Sequence, residues 1–418
     1  MEPRQERGLQ IANRCYIGQQ GGYWLVPSQS GQGRYRVDST VPSCNCPDYE
    51  THGSKCKHIY AVEYIVQFRR ETDGGVTVLN ETLQVSETKR PSYPQNWPAY
   101  NEAQMNEKQQ FQSLLFDLCC GIVDPPQTNG RPRIPLRDGA FAAIFKIYST
   151  FSGRRFISDL QDAKAKGFIQ RVPHFNSIFN TLENPDLTSI LNTLIVQSAL
   201  PLKAVETAFA VDSTGFMTSR FTRWFDQKYG VVRQKHSWVK AHIMCGVKTN
   251  VVTAVEIQEQ HTADPVVLPT LLTATAGKFD VKEVLADRAY STAKNLDAIV
   301  TANAMPYIPF KANATGNTSR SVHSATWEKM FHYFSLNREQ FFQHYHQRSN
   351  VESTVMMIKT KFRDHVRSKT DTAMKNEVLG KILCHNICCL ISAIYELGIT
   401  PTFCPNTPVL AQKLSLNN

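Results

Sequence analysis

Three patterns of apolar and polar residues follow one another along the chain. Residues 8–40 alternate short apolar runs with glycine and polar turns, which predicts a small β meander. Apolar residues then recur at helical spacing between tight turns over residues 107–200, which predicts a bundle of short helices. From residue 203 onward, strand-like and helical runs follow in the order β-β-β-α-β-α-β-α. That order predicts an α/β fold in which a mixed sheet carries helices on its faces.

Composition and charge narrow the class of protein. The chain has 418 residues, enough for about two or three domains, and 42% of them are hydrophobic, enough for packed cores. A formal net charge of +10 points to a polyanionic partner. We expect no membrane partner, because no apolar run has the length of a membrane span. Residues 1–20 lack the apolar core of a secretion signal, so we expect an intracellular protein.

The eleven cysteines agree with a reducing compartment. They are odd in number and scattered over a long chain, which does not describe a disulfide framework. Cys384, Cys388 and Cys389 lie in an apolar C-terminal helical pattern, where we expect small core residues.

Potential metal ligands stand close together near the N-terminus, in a C-x-C, C-x-H arrangement. They are Cys44, Cys46, Cys56 and His58. Three thiolates and one imidazole complete a tetrahedral zinc shell with no open catalytic position, although four such residues can also fall together by chance. Their spacing, with strands before them and a helix after them, resembles the SWIM zinc finger over residues 20–70. The resemblance implies DNA or protein binding and leaves the partner open. His52, between the ligand pairs, is expected to be a surface residue.

Two alternatives stay open for the middle of the chain. Residues 71–105 are rich in Thr, Ser, Pro, Asn and Gln and predict a linker. In the helical region that follows, residues 158–182 have the pattern of two helices joined by a short turn, and residues 174–182 are a candidate groove-reading helix. A plain core bundle explains the hydrophobic spacing equally well.

Two aspartates follow strand-like runs in the second half of the chain. Residues 206–211 lead to Asp212, and residues 281–286 lead to Asp287. Between them, the runs WVKAHIMCGV and VVTAVEI predict a hairpin. A single aspartate at a strand end usually caps or turns the backbone. Two of them, followed by the helix described next, favour a shared site instead.

A stripe of mixed charge crosses the helix predicted over residues 341–360. Its members are Tyr345, Arg348, Glu352 and Lys359. Their offsets place them within roughly one-sixth of a turn, at about 100° per residue, although a solvated helix also carries mixed charges at such spacings. Glu352 laid across Asp212 and Asp287 would supply a third carboxylate. Carboxylates on rigid elements can hold two Mg²⁺ ions, which activate the attacking oxygen and stabilise the leaving oxygen in phosphodiester chemistry.

These motifs are similar to those of the DDE transposases of bacterial insertion sequences, over roughly residues 200–395. The matching features are AVDSTG, LADRAYS and the Tyr-x2-Arg-x3-Glu-x6-Lys spacing. The resemblance implies an RNase H-like catalytic domain in which Asp212, Asp287 and Glu352 hold two Mg²⁺ ions, with Mn²⁺ as a substitute. It also implies phosphate or DNA contacts, which would come from Tyr345, Arg348, Lys359, Arg288 and Tyr290.

One part of the family pattern is missing. Some members carry a large β-rich insertion before the glutamate, whereas only the polar residues 312–325 occupy that place here. This stretch is too short for a domain and predicts a flexible loop. Any hairpin-protecting device that the insertion supplies elsewhere is therefore in doubt. Trp327, just after the loop, could stack on an unpaired base, but core packing is the simpler expectation.

The whole sequence predicts a DNA transposase with an N-terminal zinc finger. The expected parts are a SWIM-type β-β-α zinc module (1–70), a linker (71–105), a helical, potentially DNA-binding region (106–200), the catalytic domain (201–399) and a tail (400–418). The expected partners are the terminal inverted repeats and target DNA, bound by a homodimer in the bacterial cytoplasm. Alternatives are a nuclease of the same fold that only hydrolyses DNA, or a domesticated DNA-binding factor with a dead active site.

Overall fold

The structure is a computed structural model. It describes residues 3–29, 33–38, 42–73, 96–124, 126–127, 129–130, 133–218, 238–258, 262–311, 313–316 and 324–404. Most of the predicted linker, a large part of the predicted polar loop and most of the predicted tail lie outside the described residues. The chain divides into two compact units, residues 1–94 and 95–418.

The first unit packs helices on a four-stranded antiparallel meander in the order β1-β2-β3-β4. Its elements are α1 (Pro3–Arg14), β1 (Gly18–Gln20), β2 (Tyr23–Pro27), β3 (Arg34–Asp38), β4 (Ser43–Cys44), α2 (Pro47–His52) and α3 (Lys57–Asp73). Trp24, Val26 and Val37 alternate with more exposed residues along the strands and form the core with Ile11 and Ile59. The predicted meander and the helix after the zinc ligands are confirmed.

Helix α1 corrects the start of the predicted meander, because residues 8–14 are helical. Gly8 makes this helix fit: a Cβ there would lie 2.5 Å from Cβ of Tyr60 and 2.9 Å from the carbonyl oxygen of Lys57. The backbone of α1 therefore lies close against α3. Ile11, one helical turn further on, is fully buried.

The second unit contains a five-stranded mixed sheet in the order β7-β6-β5-β8-β9. Its strands are β5 (Ala208–Met217), β6 (Trp238–Gly246), β7 (Val252–Gln258), β8 (Glu283–Ala286) and β9 (Met305–Tyr307). The strands β5, β6 and β7 are antiparallel, and β8 and β9 run parallel to β5. Central strand β5 buries Phe209, Ala210 and Val211 completely, as expected where both faces are covered. The predicted mixed sheet flanked by helices is confirmed.

Fourteen helices in all belong to the described residues, and those of the second unit cover its sheet. They are α4 (Trp97–Cys119), α5 (Leu136–Ser149), α6 (Ile157–Ala165), α7 (Phe175–Glu183), α8 (Asp186–Ala199), α9 (Asp264–Ala276), α10 (Ala293–Thr301), α11 (Ala325–Leu336), α12 (Arg338–Tyr345), α13 (Ser349–Phe362) and α14 (Asp371–Leu397). Helix α4 begins inside the stretch predicted as a linker, because Asn96 accepts a hydrogen bond from the amide of Ala99 and caps its first turn.

The helices between residues 97 and 199 share one core with the sheet. Asn386 on α14 joins the two parts: its amide donates to the carbonyl of Ile195 and to the carbonyl of Val252, and its oxygen accepts from the amide of Val252. The connection between α6 and α7, residues 166–174, is longer than the roughly three or four residues of a helix-turn-helix. This length favours the plain core bundle for this region.

Helix α14 is long and apolar enough, by length and composition, to cross a membrane, which the sequence pattern did not predict. Of its most apolar window, 72% is buried inside the protein. That burial is typical of the core helix of a folded domain. Trp327 also has a packing role, since its ring meets Phe310 edge-on at 4.8 Å and its indole N–H donates to the carbonyl of Thr315.

Candidate active site and zinc site

The register of two parallel strands brings Asp212 and Asp287 side by side. Strand β5 pairs with β8 as far as Val211 and Ala286, and the next residue of each strand is one of the aspartates. Neighbouring strands lie about 4.8 Å apart, so the two backbones leave the ladder as neighbours. The prediction that Asp212 ends its strand needs a correction: β5 continues to Met217, paired with β6 and bridged at Met217 to His365.

The backbone holds one oxygen of each aspartate in the same way. The amide of Ser213 donates to Oδ1 of Asp212 at 2.8 Å, and the amide of Arg288 donates to Oδ1 of Asp287 at 2.6 Å. Burial raises the pKa of Asp212; the charges of Asp287 and Glu352 act in the same direction, against the hydrogen bond from Ser213 and the charge of Arg348. Asp212 therefore lies within electrostatic reach of both other predicted acids.

The sequence predicted one continuous α-helix over residues 341–360. The structure divides this stretch into two α-helices with a short turn between them. Helix α12 ends at Tyr345, a 3₁₀ turn spans His346–Arg348, and α13 begins at Ser349. Residues three apart also line one side of a 3₁₀ turn, so side-chain spacing does not separate the two conformations. The turn places Arg348 next to the central strand.

Arg348 joins two of the predicted acids. Its Nη2 donates to Oδ2 of Asp212 at 3.0 Å, and its Nη1 donates to Oε1 of Glu352 at 2.6 Å. The side chain of Arg348 is 16% exposed, whereas that of Glu352 is 60% exposed. A positive charge thus lies between a half-buried carboxylate and an open one.

Tyr345 lies with these groups, whereas Lys359 stands apart from them. Burial raises the pKa of the Tyr345 phenol, and the charges acting on it come from Arg348, Asp287, Arg288 and Glu352. The Nζ of Lys359 instead lies 5.5 Å from the ring centre of Phe216, further along β5. Burial lowers its pKa, and Asp364 opposes that shift.

The two residues after Asp287 have different surroundings. Arg288 is exposed beside the acids. Tyr290 is only 1% exposed, and within the described part of the chain its buried hydroxyl has no hydrogen-bond partner. A phenol at this depth does not reach a DNA backbone, so its burial does not fit the expected phosphate contact.

Sequence reasoning missed a partly buried polar group next to β5, formed by Lys240, His242 and Asp264. The Nζ of Lys240 lies 2.6 Å from Oδ1 of Asp264, and Nδ1 of His242 lies 3.7 Å from the same oxygen. Burial lowers the pKa of His242, and the positive charge of Lys240 lowers it further. Strand alternation was the available signal, because it puts residues 240 and 242 on one face of β6.

The donor set at the acids suits a hard divalent cation. Mg²⁺ prefers carboxylate oxygens and keeps several waters, so ligands from separate elements suffice. Asp212, Asp287 and Glu352 are such ligands, and the guanidinium of Arg348 shows that positive charge is stabilised between two of them. Within the described ranges these three carboxylates are not gathered as tightly as the cysteine and histidine group described next.

The predicted zinc ligands are brought together in the first unit. Sγ of Cys44, Cys46 and Cys56 and a ring nitrogen of His58 all lie within 4.8 Å of one another, and all four residues are buried. Nδ1 of His58 faces the thiols, at 3.9 Å from Cys44 and 3.8 Å from Cys56. Consecutive elements supply the ligands: β4 carries Cys44, Cys46 caps α2, and His58 lies in the first turn of α3.

The chemistry of this group fits a closed zinc site. Three thiols and one imidazole complete the tetrahedral shell. The hydrogen bond between Cys44 and Cys56, and then burial, raise the pKa of Cys44, whereas the same bond lowers the pKa of Cys56 and favours a thiolate there. His52 lies on the surface and contacts Asp48 rather than the thiols.

Two family models match the chain. Residues 203–387 match the transposase DDE domain, and residues 34–67 match the SWIM zinc finger. No curated protein and no solved structure matches it. The first match supports a transposase-type, nucleic-acid-cleaving enzyme with DNA as its partner. We conclude that residues 203–387 of this chain form a transposase DDE domain and residues 34–67 a SWIM zinc finger.

Proposed function

We propose that this protein is a DNA transposase that binds the ends of its own insertion sequence. It cleaves the 3′ ends with water and then uses each freed 3′-hydroxyl to attack target DNA. The observation that supports this most is the pair Asp212 and Asp287, adjacent at the end of one parallel ladder, with Glu352 joined to Asp212 through Arg348.

In this proposal the three carboxylates hold two Mg²⁺ ions, for which Mn²⁺ can substitute. The ions supply activation of the attacking oxygen and stabilisation of the leaving oxygen. The backbone amides of Ser213 and Arg288 orient the two aspartates, since each holds one carboxylate oxygen; the second oxygen of Asp212 accepts from Arg348. Arg348 neutralises Asp212 and Glu352 until other positive charge enters the site.

Phosphate contacts are assigned to the cations and the phenol around the acids. Arg348, Arg288 and Tyr345 are grouped there, and Arg288 is exposed. Lys359, further along α13, would contact a phosphate more distant from the cleaved bond. Contacts of this kind make binding strongly dependent on salt, because each releases a counterion from the DNA.

The zinc finger has a structural role in this proposal. One Zn²⁺ held by the cysteine and histidine group would stabilise the first unit, whose hydrophobic core includes Cys44, Cys46 and Cys56. The finger then contacts either DNA or a protein partner. The substrate contains two terminal repeats, which suits a homodimer with one subunit at each repeat. We place this homodimer in the cytoplasm, without a membrane partner.

A transesterification assay separates this function from simple hydrolysis. Inverted repeats that flank the reading frame would supply the substrate, and a duplex with a pre-cut 3′-hydroxyl end would bypass the first cleavage. A transposase joins that end to a target plasmid in the presence of Mg²⁺. A nuclease that only hydrolyses cuts intact ends but yields no joined product, and a domesticated factor binds the repeats without cutting.

A further inference from the structure

A second charged site lies in the second unit, away from the acids. A cavity of about 170 Å³ opens between α5, the segment after α13 and α14. Its polar lining includes four cations and one carboxylate. These are Lys146, Arg363, Arg367, Lys381 and Glu377. Phe179 and Phe362 contribute apolar walls.

Lys146 is the distinguishing group of this cavity. The residue is only 8% exposed, and among the described residues its ammonium has no hydrogen-bond or ion-pair partner. Burial, and then the positive charge of Arg367, lower its pKa to about 8; Glu377 opposes the shift and Arg363 adds to it. A buried lysine next to two arginines is stabilised when an anion joins them.

The arginines are fixed by backbone carbonyls rather than by carboxylates. Nη2 of Arg363 donates to the carbonyl of Thr150 at 3.2 Å. Nη1 of Arg367 donates to the carbonyls of Thr150 and Phe151, both at 3.3 Å. Their charges are therefore not neutralised by these bonds, and the guanidinium groups retain further N–H donors.

Among the described residues, the lining contains one carboxylate, and that carboxylate already has partners. Glu377 accepts hydrogen bonds from the amides of Arg367 and Ser368 and from the hydroxyl of Ser368. It also lies 3.5 Å from Nζ of Lys381, which in turn donates to two backbone carbonyls. Glu377 and Lys381 thus balance each other and leave Lys146, Arg363 and Arg367 with an excess of positive charge.

Two residues of the lining adopt a backbone conformation that L-residues rarely take. Thr150 has φ 56° and Arg363 has φ 76°. A β-branched threonine with positive φ is a genuine outlier, and such conformations concentrate at binding sites. Thr150 caps the C-terminus of α5 in this conformation, and its carbonyl accepts from both arginines.

We propose that this cavity binds a phosphate group, through Lys146, Arg363 and Arg367. A phosphate offers oxygen acceptors in several directions, which suits one ammonium and two guanidiniums converging on a small space. The volume suits a single phosphate with part of an attached sugar against Phe179 and Phe362. The source is either a backbone phosphate of bound DNA or a free phosphate anion.

The position of the cavity favours the DNA backbone, an argument that rests on the proposed function. Helix α13 carries Glu352 in its first turn and ends at Phe362 in the cavity wall. Strand β5, which carries Asp212, ends with Met217, whose amide and carbonyl bond to residues 364 and 366. The same two elements therefore connect the acids to the phosphate site.

The first test measures binding of inorganic phosphate to the full chain by calorimetry. We expect saturable binding by the wild type and a loss of roughly tenfold or more in Lys146→Met. Arg367→Gln, at an exposed position, should lose affinity without threatening the fold. Lys278→Met, an exposed lysine elsewhere in the unit, is the matched control and should bind as the wild type. The proposal is overturned if the wild type does not bind phosphate, or if Lys146→Met and Arg367→Gln both bind it as tightly as the wild type does.

The second test distinguishes the two sources. The binding constant for duplex DNA is measured across a salt series, and its logarithm is plotted against the logarithm of the salt concentration. If a DNA phosphate occupies the cavity, the magnitude of the slope should be lower by about one in Lys146→Met than in the control. Phosphate binding with an unchanged DNA slope identifies a free anion as the ligand. The phosphate measurement involves no cleavage, so it stands even if the chain fails to cut or join DNA.

Discussion

Nη2 of Arg348 donates a hydrogen bond to Oδ2 of Asp212 at 3.0 Å, although 136 positions separate the two residues in the sequence. The bond joins the short 3₁₀ turn before α13 to the central strand of the sheet. It also keeps a half-buried carboxylate beside a cation. The geometry of the acids therefore depends on α13, which Asn350 also holds by donating a hydrogen bond to the carbonyl of Val247.

Replacing Arg348 with glutamine should weaken strand transfer. The variant loses the positive charge at Asp212 and Glu352 together with a phosphate contact, and we expect a reduction of roughly tenfold or more. Lys359→Ala should also reduce transfer, with a shallower salt dependence. Rates are measured with a pre-cut 3′-hydroxyl end across a salt series.

Arg338→Gln provides the control for this pair, since Arg338 lies on α12 over the rings of Phe334 and Phe342 rather than at the acids. If Arg348→Gln and Lys359→Ala transfer DNA at the wild-type rate at every salt concentration, the stripe has a structural role only.

Zinc should be bound at one ion per chain and should stabilise the first unit alone. Cys56→Ser removes a ligand, so we expect loss of the metal and rapid proteolysis of residues 1–73, while the second unit stays resistant. Cys15→Ser, outside the ligand group, should retain zinc. Metal analysis of protein purified without chelators is the measurement, and its finding no zinc would exclude a structural zinc site.

His385 should make the second unit less stable in acid. Burial lowers its pKa from 6.5 to about 4, because a charged ring loses its hydration in the core; the hydrogen bond from the ring to the carbonyl of Asn250 opposes this shift. As the pH falls from 6.5 towards 4, the unfolded chain takes up a proton that the folded chain excludes. The free energy of unfolding should fall by on the order of 3 kcal/mol over this range.

Hydrogen exchange of α14 amides at several pH values measures this effect. His385→Gln should lose much of the pH dependence, whereas the exposed His332→Gln should keep it. A wild-type unit whose α14 protection is constant between these pH values would contradict the assignment.

Sequence pattern was sufficient for the elements that have strong local signals. Strand alternation and apolar runs predicted the meander and the mixed sheet, and spacing alone identified the zinc ligands that the structure groups together. The motifs also singled out Asp212 and Asp287, which the strand register makes neighbours.

The remaining features depend on contacts between distant segments. Helix α1 contains Gly8, which is needed because a side chain there would clash with α3, and this contact is visible only in the folded structure. The 3₁₀ turn before α13 preserves the spacing of the stripe and so leaves no trace in the pattern. Lys146 and Arg363 belong to different elements far apart in the sequence, and only tertiary packing brings them into one cavity.

The central claim is that three carboxylates perform the chemistry. Cleavage of a duplex carrying the terminal repeats is measured with Mg²⁺ for Asp212→Asn, Asp287→Asn and Glu352→Gln, alongside Asp280→Asn at an exposed position as control. We predict that the first three variants bind the duplex but do not cut it, and that the control cuts normally. Full cleavage by any one of the three would contradict the account.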